Sequence, residues 1–308
     1  MDTFHAGEIA LQQRTGAYER LAPRAALFIR DQMPEQHREL FEKLPTLLFG
    51  SVDADGRPWA SVLVGRPGFV QAADARHLHI AAQPLVGDPL ADSLQIGRPL
   101  GLLGLEPQTR RRNRMNGHVV ALDGTGFTVQ VDQSFGNCPQ YIQARAPRWV
   151  DTAPVTPVMS VSGSGALAGE ARALVARADT FFIASAVPGA VDVSHRGGKP
   201  GFVHIEEQNG RTRLTAPDFR GNFLFNTLGN ITLNPRAGLL FVDHEQGHML
   251  QLSGTAQIVW DGPLLRSFTG AERLLTVTVE HSRWWPAALP LRWSAPEQAP
   301  QLAATGSW

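Results

Sequence analysis

The side chains best suited to hold an anion or exchange a proton cluster in Val191–Val203, VDVSHRGGKPGFV, where Ser194, His195, Arg196 and Lys199 stand beside paired glycines. An unperturbed imidazole titrates at about 6.5 and can act as a general acid. No carboxylate partner is fixed by spacing, so His195 reads more readily as a hydrogen-bonding wall than as a proton donor. A second basic run, TRRRNR at Thr109–Arg114, holds Arg110, Arg111 and Arg112. It is either a solvated hairpin tip or a contact to phosphate or another acidic ligand, because guanidinium forks match oxyanions. Asn222, Asn226, Asn230 and Asn234 recur every four residues, a spacing that lines one side of a helix. Asparagine is poor inside helices, so the series calls for a compensating network or for ligand contacts. In SFGNCPQYIQAR, Ser134–Arg145, Asn137 and Tyr141 can hydrogen-bond a ligand, and Cys138 has no base nearby in sequence to activate it.

Other chemistries lack their residues. Cys138 is the only cysteine and no HExxH spacing occurs, so no metal site is expected. Neither a GxSxG elbow nor a paired-carboxylate motif points to a hydrolase. The chain has 308 residues with 28 basic and 28 acidic side chains, so no net field recruits nucleic acid or an anionic membrane. The arginine run also lacks the interleaved aromatics of a nucleic-acid platform. No apolar run reaches the roughly 18 residues of a membrane span, and the N-terminus lacks the order of a secretory signal. A soluble cytoplasmic protein is expected.

The elements that must position these residues occur twice. GRPGFV at Gly65–Val70 matches GKPGFV ending at Val203, an offset of 133 residues. GLL at Gly101 matches GLL at Gly238, and Asn116-Gly117 matches Ser253-Gly254, both at an offset of 137. One four-residue insertion or deletion reconciles the registers, so two related β-rich halves closing on each other are expected. Thirty glycines and 22 prolines fit a turn-rich chain.

Taken in order, residues 1–45 read as an N-terminal helical arm, with a helix over Asp31–Leu44 capped by Asp31 and ended by Pro45. Residues 46–145 form the first half, beginning with the strands TLLFGSV and Trp59–Val64 around the turn DADGR. Residues 146–166, rich in proline, serine and glycine, are the linker. Residues 167–293 form the second half, opening with a short amphipathic helix and the strand TFFIASA. Residues 294–308 are expected to be a loose tail.

VDVSHRGGKPGFV, followed by PDFRGNFLFNTLGNITLNPRAGLLFVD and accompanied by SFGNCPQYIQ, resembles the pyridoxamine 5'-phosphate oxidase-like, FMN-binding split-barrel family, in particular its long two-part branch. The resemblance covers roughly Leu44–Trp260. It implies a mainly β protein with flanking helices (α+β): two tandem six-stranded split β-barrel domains related by internal duplication, with FMN in the cleft between them. It further implies an oxidoreductase that passes electrons through the flavin to a small acceptor or oxygen, with NADH or NADPH as reductant and a homodimer as an allowed assembly. On that reading Arg196 and Lys199, with Arg110, Arg111 and Arg112 from the facing half, hold the phosphate. Ser194 and His195 approach the ring, His195 being the catalytic candidate. Asn222, Asn226 and Asn230 brace the cofactor and Tyr141 contacts it. The rival is a non-catalytic flavin- or haem-binding barrel used for storage, sensing or interaction. The arginine-plus-Leu-Lys motif of the vitamin-forming oxidases is missing, so that substrate is not expected.

Overall fold

The computed structural model describes residues 3–151, 160–162 and 165–308. Helices α1 (Ala6–Arg14), α2 (Tyr18–Leu21), α3 (Ala25–Phe28) and α4 (Glu35–Lys43) lead into the first sheet. Its strands are β1 (Thr46–Val52), β2 (Pro58–Val64), β3 (Val70–Ala72), β4 (His77–Ile80), β5 (Pro99–Glu106), β6 (Arg111–Leu122) and β7 (Phe127–Gly136), with α5 (Leu90–Ser93) between β4 and β5. Two short strands, β8 (Pro147–Trp149) and β9 (Ser160–Ser162), and helix α6 (Gly169–Arg177) follow. The second sheet holds β10 (Thr180–Val187), β11 (Ala190–Gly197), β12 (His204–Gln208), β13 (Arg211–Phe219), β14 (Arg236–Val242), β15 (Met249–Val259) and β16 (Ala271–Trp285). Helix α7 (Asn226–Leu233) joins β13 to β14 and α8 (Pro263–Ser267) joins β15 to β16; β17 (Leu291–Trp293) closes the series. No helix among the described residues is long and apolar enough to cross a membrane.

The first sheet runs β2-β1-β5-β6-β7-β4-β3 and the second β11-β10-β14-β15-β16-β13-β12, the same order in the same sense, antiparallel throughout. Each path has seven strands, one more than the resemblance implies. The matched sequence fragments fall on matched geometry. Asn116-Gly117 and Ser253-Gly254 both mark a register shift in the ladder, and a Cβ on either glycine would lie 2.0 Å from a carbonyl oxygen of the neighbouring strand. Gly65 and Gly198 each sit against a phenylalanine ring, Phe69 and Phe202, where a Cβ would come within 2.3 Å of Cγ. The GxPGFV motif is therefore the same tight turn twice.

Alternation along the strands explains why they read as unbroken apolar runs. In β1, Leu47 and Phe49 enter the core of the first half while Leu48 points to the seam between the halves. In β10, Phe181 and Ile183 enter the second core while Phe182 and Ala184 face the same seam. Both faces are buried, so polar positions drop out. At the seam Gly101 faces β11 and Gly238 faces β2: a Cβ would lie 2.7 Å from the Val191 oxygen in one and 2.4 Å from the Pro58 oxygen in the other. That close approach is what the two GLL motifs share.

Several expectations need correcting. The helix expected from Asp31 starts at Glu35 behind Pro34, and Asp31 instead pairs with Arg76 at 2.7 Å. The asparagine helix is shorter than its four-residue repeat, because Asn222 precedes it and Asn234 follows it. The final residues are not loose: Ala299 and Leu302 are buried, and the Trp308 indole donates to the Phe202 carbonyl at 2.7 Å. The linker expected over residues 146–166 includes 152–159 and 163–164, which lie outside the described residues. The arm also reaches further than a cap on the first half. Leu11 joins the second core, and Gly7 packs so closely on α7 that a Cβ would meet the Gly229 oxygen at 2.2 Å.

Candidate functional site

A cleft of about 930 Å³, counting the space open to solvent, lies between the halves. Strand β6 of the first half supplies Arg112 and Arg114, two residues apart and so on one face. Strand β11 of the second half supplies Ser194, His195 and Arg196. The segment after β7 adds Asn137, Cys138 and Tyr141, the β13–α7 connection adds Asn222 and Phe223, and α7 opens with Asn226. Phe219 stacks on Tyr141 with ring centroids 4.8 Å apart. Tyr141, Phe223 and Phe225 hold φ of 63°, 62° and 61°, left-handed values costly for such side chains. Backbone strain of this kind persists only where the surrounding structure imposes it, and here it rings the cleft.

The cleft is cationic. Arg114 lies 3.1 Å from Asp192 and also donates to Ser194. Arg196 pairs with Asp218, and Arg273 reaches the other oxygen of Asp218 at 3.0 Å. Arg112 differs: among the described residues it has no carboxylate partner, its Nε is buried without a hydrogen bond, and one Nη donates to His195 Nδ1 at 3.1 Å. Burial, with Arg114 and Arg196 alongside, pulls its pKa down to about 10. A desolvated guanidinium without a counter-ion is unfavourable and draws an anion. The His195 pKa is held well below the usual imidazole value, first by burial and then by Arg112 and Arg196. The ring is therefore neutral at pH 7; with Nδ1 accepting from Arg112, Nε2 carries the proton.

The structure sorts the expected residues. Ser194, His195, Arg196, Asn222, Asn226, Arg112 and Tyr141 converge on the cleft. Lys199 does not: its Nζ donates to the Thr305 carbonyl from within the GxPGFV turn. Arg110, at φ 55° beyond the 3₁₀ turn Pro107–Thr109, bonds the Ile142 carbonyl and Glu297, and Arg111 bonds the Gln36 carbonyl. The basic run is thus part tip and part strand, and of its strand portion only the alternate residues Arg112 and Arg114 face the cleft. Asn230 is buried behind the wall, donating to Asp192 and Ser185 at 3.1 Å, so it braces a carboxylate. Asn222 accepts from the Leu224 N–H at 3.1 Å and shapes the loop. Sequence reasoning missed Arg114, Arg273, Asp192, Asp218 and Glu8. Period-two spacing from Arg112 pointed to Arg114. Nothing local signalled Glu8, which α1 carries across the molecule to accept from Asn226 at 2.6 Å.

Paired antiparallel sheets of one topology thus enclose a cationic, aromatic-walled cleft. Residues 167–287 match the family model described as pyridoxamine 5'-phosphate oxidase. The match falls on the second half, which is similar to the pyridoxamine 5'-phosphate oxidase family. No curated protein matches the chain. Among solved structures, a putative pyridoxamine 5'-phosphate oxidase from Lactobacillus delbrueckii is 12% identical, covering 40% of this chain and 97% of its own, with a TM-score of 0.31. An FAD-binding protein from Mesorhizobium loti is 14% identical over 41% of this chain and 98% of its own, TM-score 0.29. The haem storage protein HutZ of Vibrio cholerae is 12% identical over 36% and 87%, TM-score 0.26.

Proposed function

We propose that the cleft holds FMN and that the protein is a flavin-dependent oxidoreductase, taking electrons from NADH or NADPH and delivering them to a small acceptor or oxygen. The observation that carries the reading is Arg112, a buried guanidinium at the cleft wall without a carboxylate partner among the described residues. A phosphate dianion supplies the missing charge, and Arg114 and Arg196 lie beside it. The orphaned Asn137 Oδ1 offers an acceptor, and the stacked Tyr141–Phe219 pair offers an apolar wall to a flat ring. When bound, the flavin supplies the electron transfer itself; the chain binds it, orients it and excludes water. In this assignment Arg112, Arg114 and Arg196 replace the set that included Lys199, Arg110 and Arg111. His195 orients Arg112 and holds its proton on Nε2.

The shared strand order and the 133- and 137-residue offsets support an origin by internal duplication of a split-barrel domain. The same reading puts the protein in the cytoplasm, where Cys138 at the cleft stays a thiol, and it admits a homodimer without needing one to complete the cleft. The test is the visible spectrum of freshly purified protein, followed by anaerobic addition of NADH or NADPH. A two-banded flavin spectrum that bleaches with either nucleotide is expected. A strong Soret band would transfer the cleft to haem, and a flavin that stays oxidised would remove the reductase activity.

A further inference from the structure

Helix α7 starts at the cleft without a side-chain cap on Phe225, its N-cap residue. The first backbone N–H of the helix to find an acceptor among the described residues is that of Gly229, on the Phe225 carbonyl at 2.5 Å. The N–H groups of Asn226, Thr227 and Leu228 are the orphan donors of a helix start, and all three residues line the cleft. Asn226 itself is only 8% exposed, and its Nδ2 donates to Glu8 Oε1 at 2.6 Å. Its Oδ1 accepts nothing among the described residues. Unlike Asn137 Oδ1 and Asn230 Oδ1, however, it is not sealed from solvent, so it opens on the cleft. A fixed acceptor thus stands beside backbone donors.

Glu8 sets this polarity. Gly7 and Gly229 let α1 lie against α7, a Cβ on Gly7 falling 2.2 Å from the Gly229 oxygen. Asn226 lies one helical turn before Gly229 on the same face, within reach of Glu8. Both carboxyl oxygens of Glu8 accept, Oε1 from Asn226 and Oε2 from the His5 N–H at 3.0 Å. The Asn226 amide must therefore turn its Nδ2 to Glu8 and its Oδ1 to the cleft.

We infer that the start of α7 receives the imide edge of the flavin, with Asn226 Oδ1 accepting the ring N–H, the free N–H groups of the helix meeting a neighbouring carbonyl oxygen, and Glu8 as the positioning residue. An imide presents a donor flanked by acceptors, which complements this wall. The positive end of α7 also suits a carbonyl oxygen. Ser194 links the subsite to the basic stripe, since its hydroxyl lies 2.7 Å from that of Thr227 and accepts from Arg114. Arg112 lies two residues further along β6, so the phosphate and imide ends are held apart. The assignment rests on the flavin reading of the cleft.

Equilibrium dialysis of the full chain with FMN and with 3-methyl-FMN, in which a methyl group replaces the ring N–H hydrogen, tests it. The native chain is expected to bind 3-methyl-FMN at least about tenfold more weakly, the scale of a lost hydrogen bond with its acceptor left unpaired. Asn226→Ala removes the acceptor and Glu8→Ala frees the amide to rotate. Each variant, with native circular dichroism, is expected to bring the two affinities within about threefold. A merely structural fault would weaken both ligands alike and leave their ratio unchanged. Equal binding of the two by the native chain would overturn the imide subsite and leave the flavin reading standing. A ratio unchanged in Asn226→Ala would overturn the subsite as well, and one unchanged in Glu8→Ala would remove Glu8 from its positioning role. Absence of FMN binding would overturn the flavin reading and the subsite with it.

Discussion

At the cleft, Arg114 donates to Ser194, whose hydroxyl lies 2.7 Å from that of Thr227; at the equivalent place in the other half, Gln251 donates to Ser61 at 2.9 Å, and Ser61 donates to Asp88 at 2.6 Å. The backbone frame is the same, since Leu105 pairs with Arg112 as Val242 pairs with Met249. The side chains diverge. Met249 replaces Arg112, Val62 replaces His195, and Trp285, fully buried opposite Met249, occupies the place held by Asn137 at the cleft. One half holds an open cationic cleft, and at the equivalent place the other packs Val62, Met249 and Trp285 beside a closed Gln251–Ser61–Asp88 network. On the proposed origin by duplication, the two halves have diverged within one chain, and one charged site per chain is the expected stoichiometry.

The comparison is broken most severely at its plug. Trp285→Ala is expected to cost about 3–5 kcal/mol of stability, as for other large aromatic truncations in cores, measured by urea denaturation. A loss below about 1 kcal/mol would mean that the second site is not packed as described. Arg112→Met gives the cleft the residue of its counterpart. It is expected to weaken FMN about 100-fold in equilibrium dialysis, the scale of a hydrogen bond to a charged group; a loss under about threefold would move the anion elsewhere. Gly238→Ala, which drives a Cβ to 2.4 Å from the Pro58 oxygen, is expected to cost about 1–3 kcal/mol through overpacking at the seam. Unchanged thermal unfolding would show that the halves can part there without penalty.

The smallest effect is in pH. Burial, reinforced by Asp192, raises the Glu8 pKa from 4.5 to about 7. The folded chain thus holds a proton that the unfolded chain releases above about pH 4.5, and stability falls as pH rises through that window. Between pH 6 and 8 the loss is about 1 kcal/mol. The His5 pKa, lowered chiefly by burial, acts in the opposite direction below its ordinary value of 6.5, so the difference between the native chain and Glu8→Gln isolates the carboxyl. The variant is expected to lack this slope; an identical slope would place the titration on another group.

Much of the frame was readable from the sequence because it rests on backbone necessity. The glycines of GLL, Asn-Gly and GxPGFV recur where a Cβ cannot fit, so the repeat in sequence follows a repeat in space. The site was harder. Lys199 carried the right charge in the right motif, but the motif is a turn and its amine closes on Thr305. Arg110 is set apart from Arg112 by the end of a 3₁₀ turn, and Arg111 by the alternation of strand β6, neither of which composition can locate. Asp192 and Asp218 stood in view, yet their pairing with arginines from other strands depends on long-range register. Glu8 had no local signal, since its partner lies 218 residues away.

Arg112 and His195 belong to opposite walls of the cleft but to one polypeptide. Their encounter is therefore unimolecular, with an effective concentration fixed by the fold. Where the same two walls come from separate subunits, dilution would part them. Here the anion site is expected to stay assembled at any protein concentration at which the chain is folded.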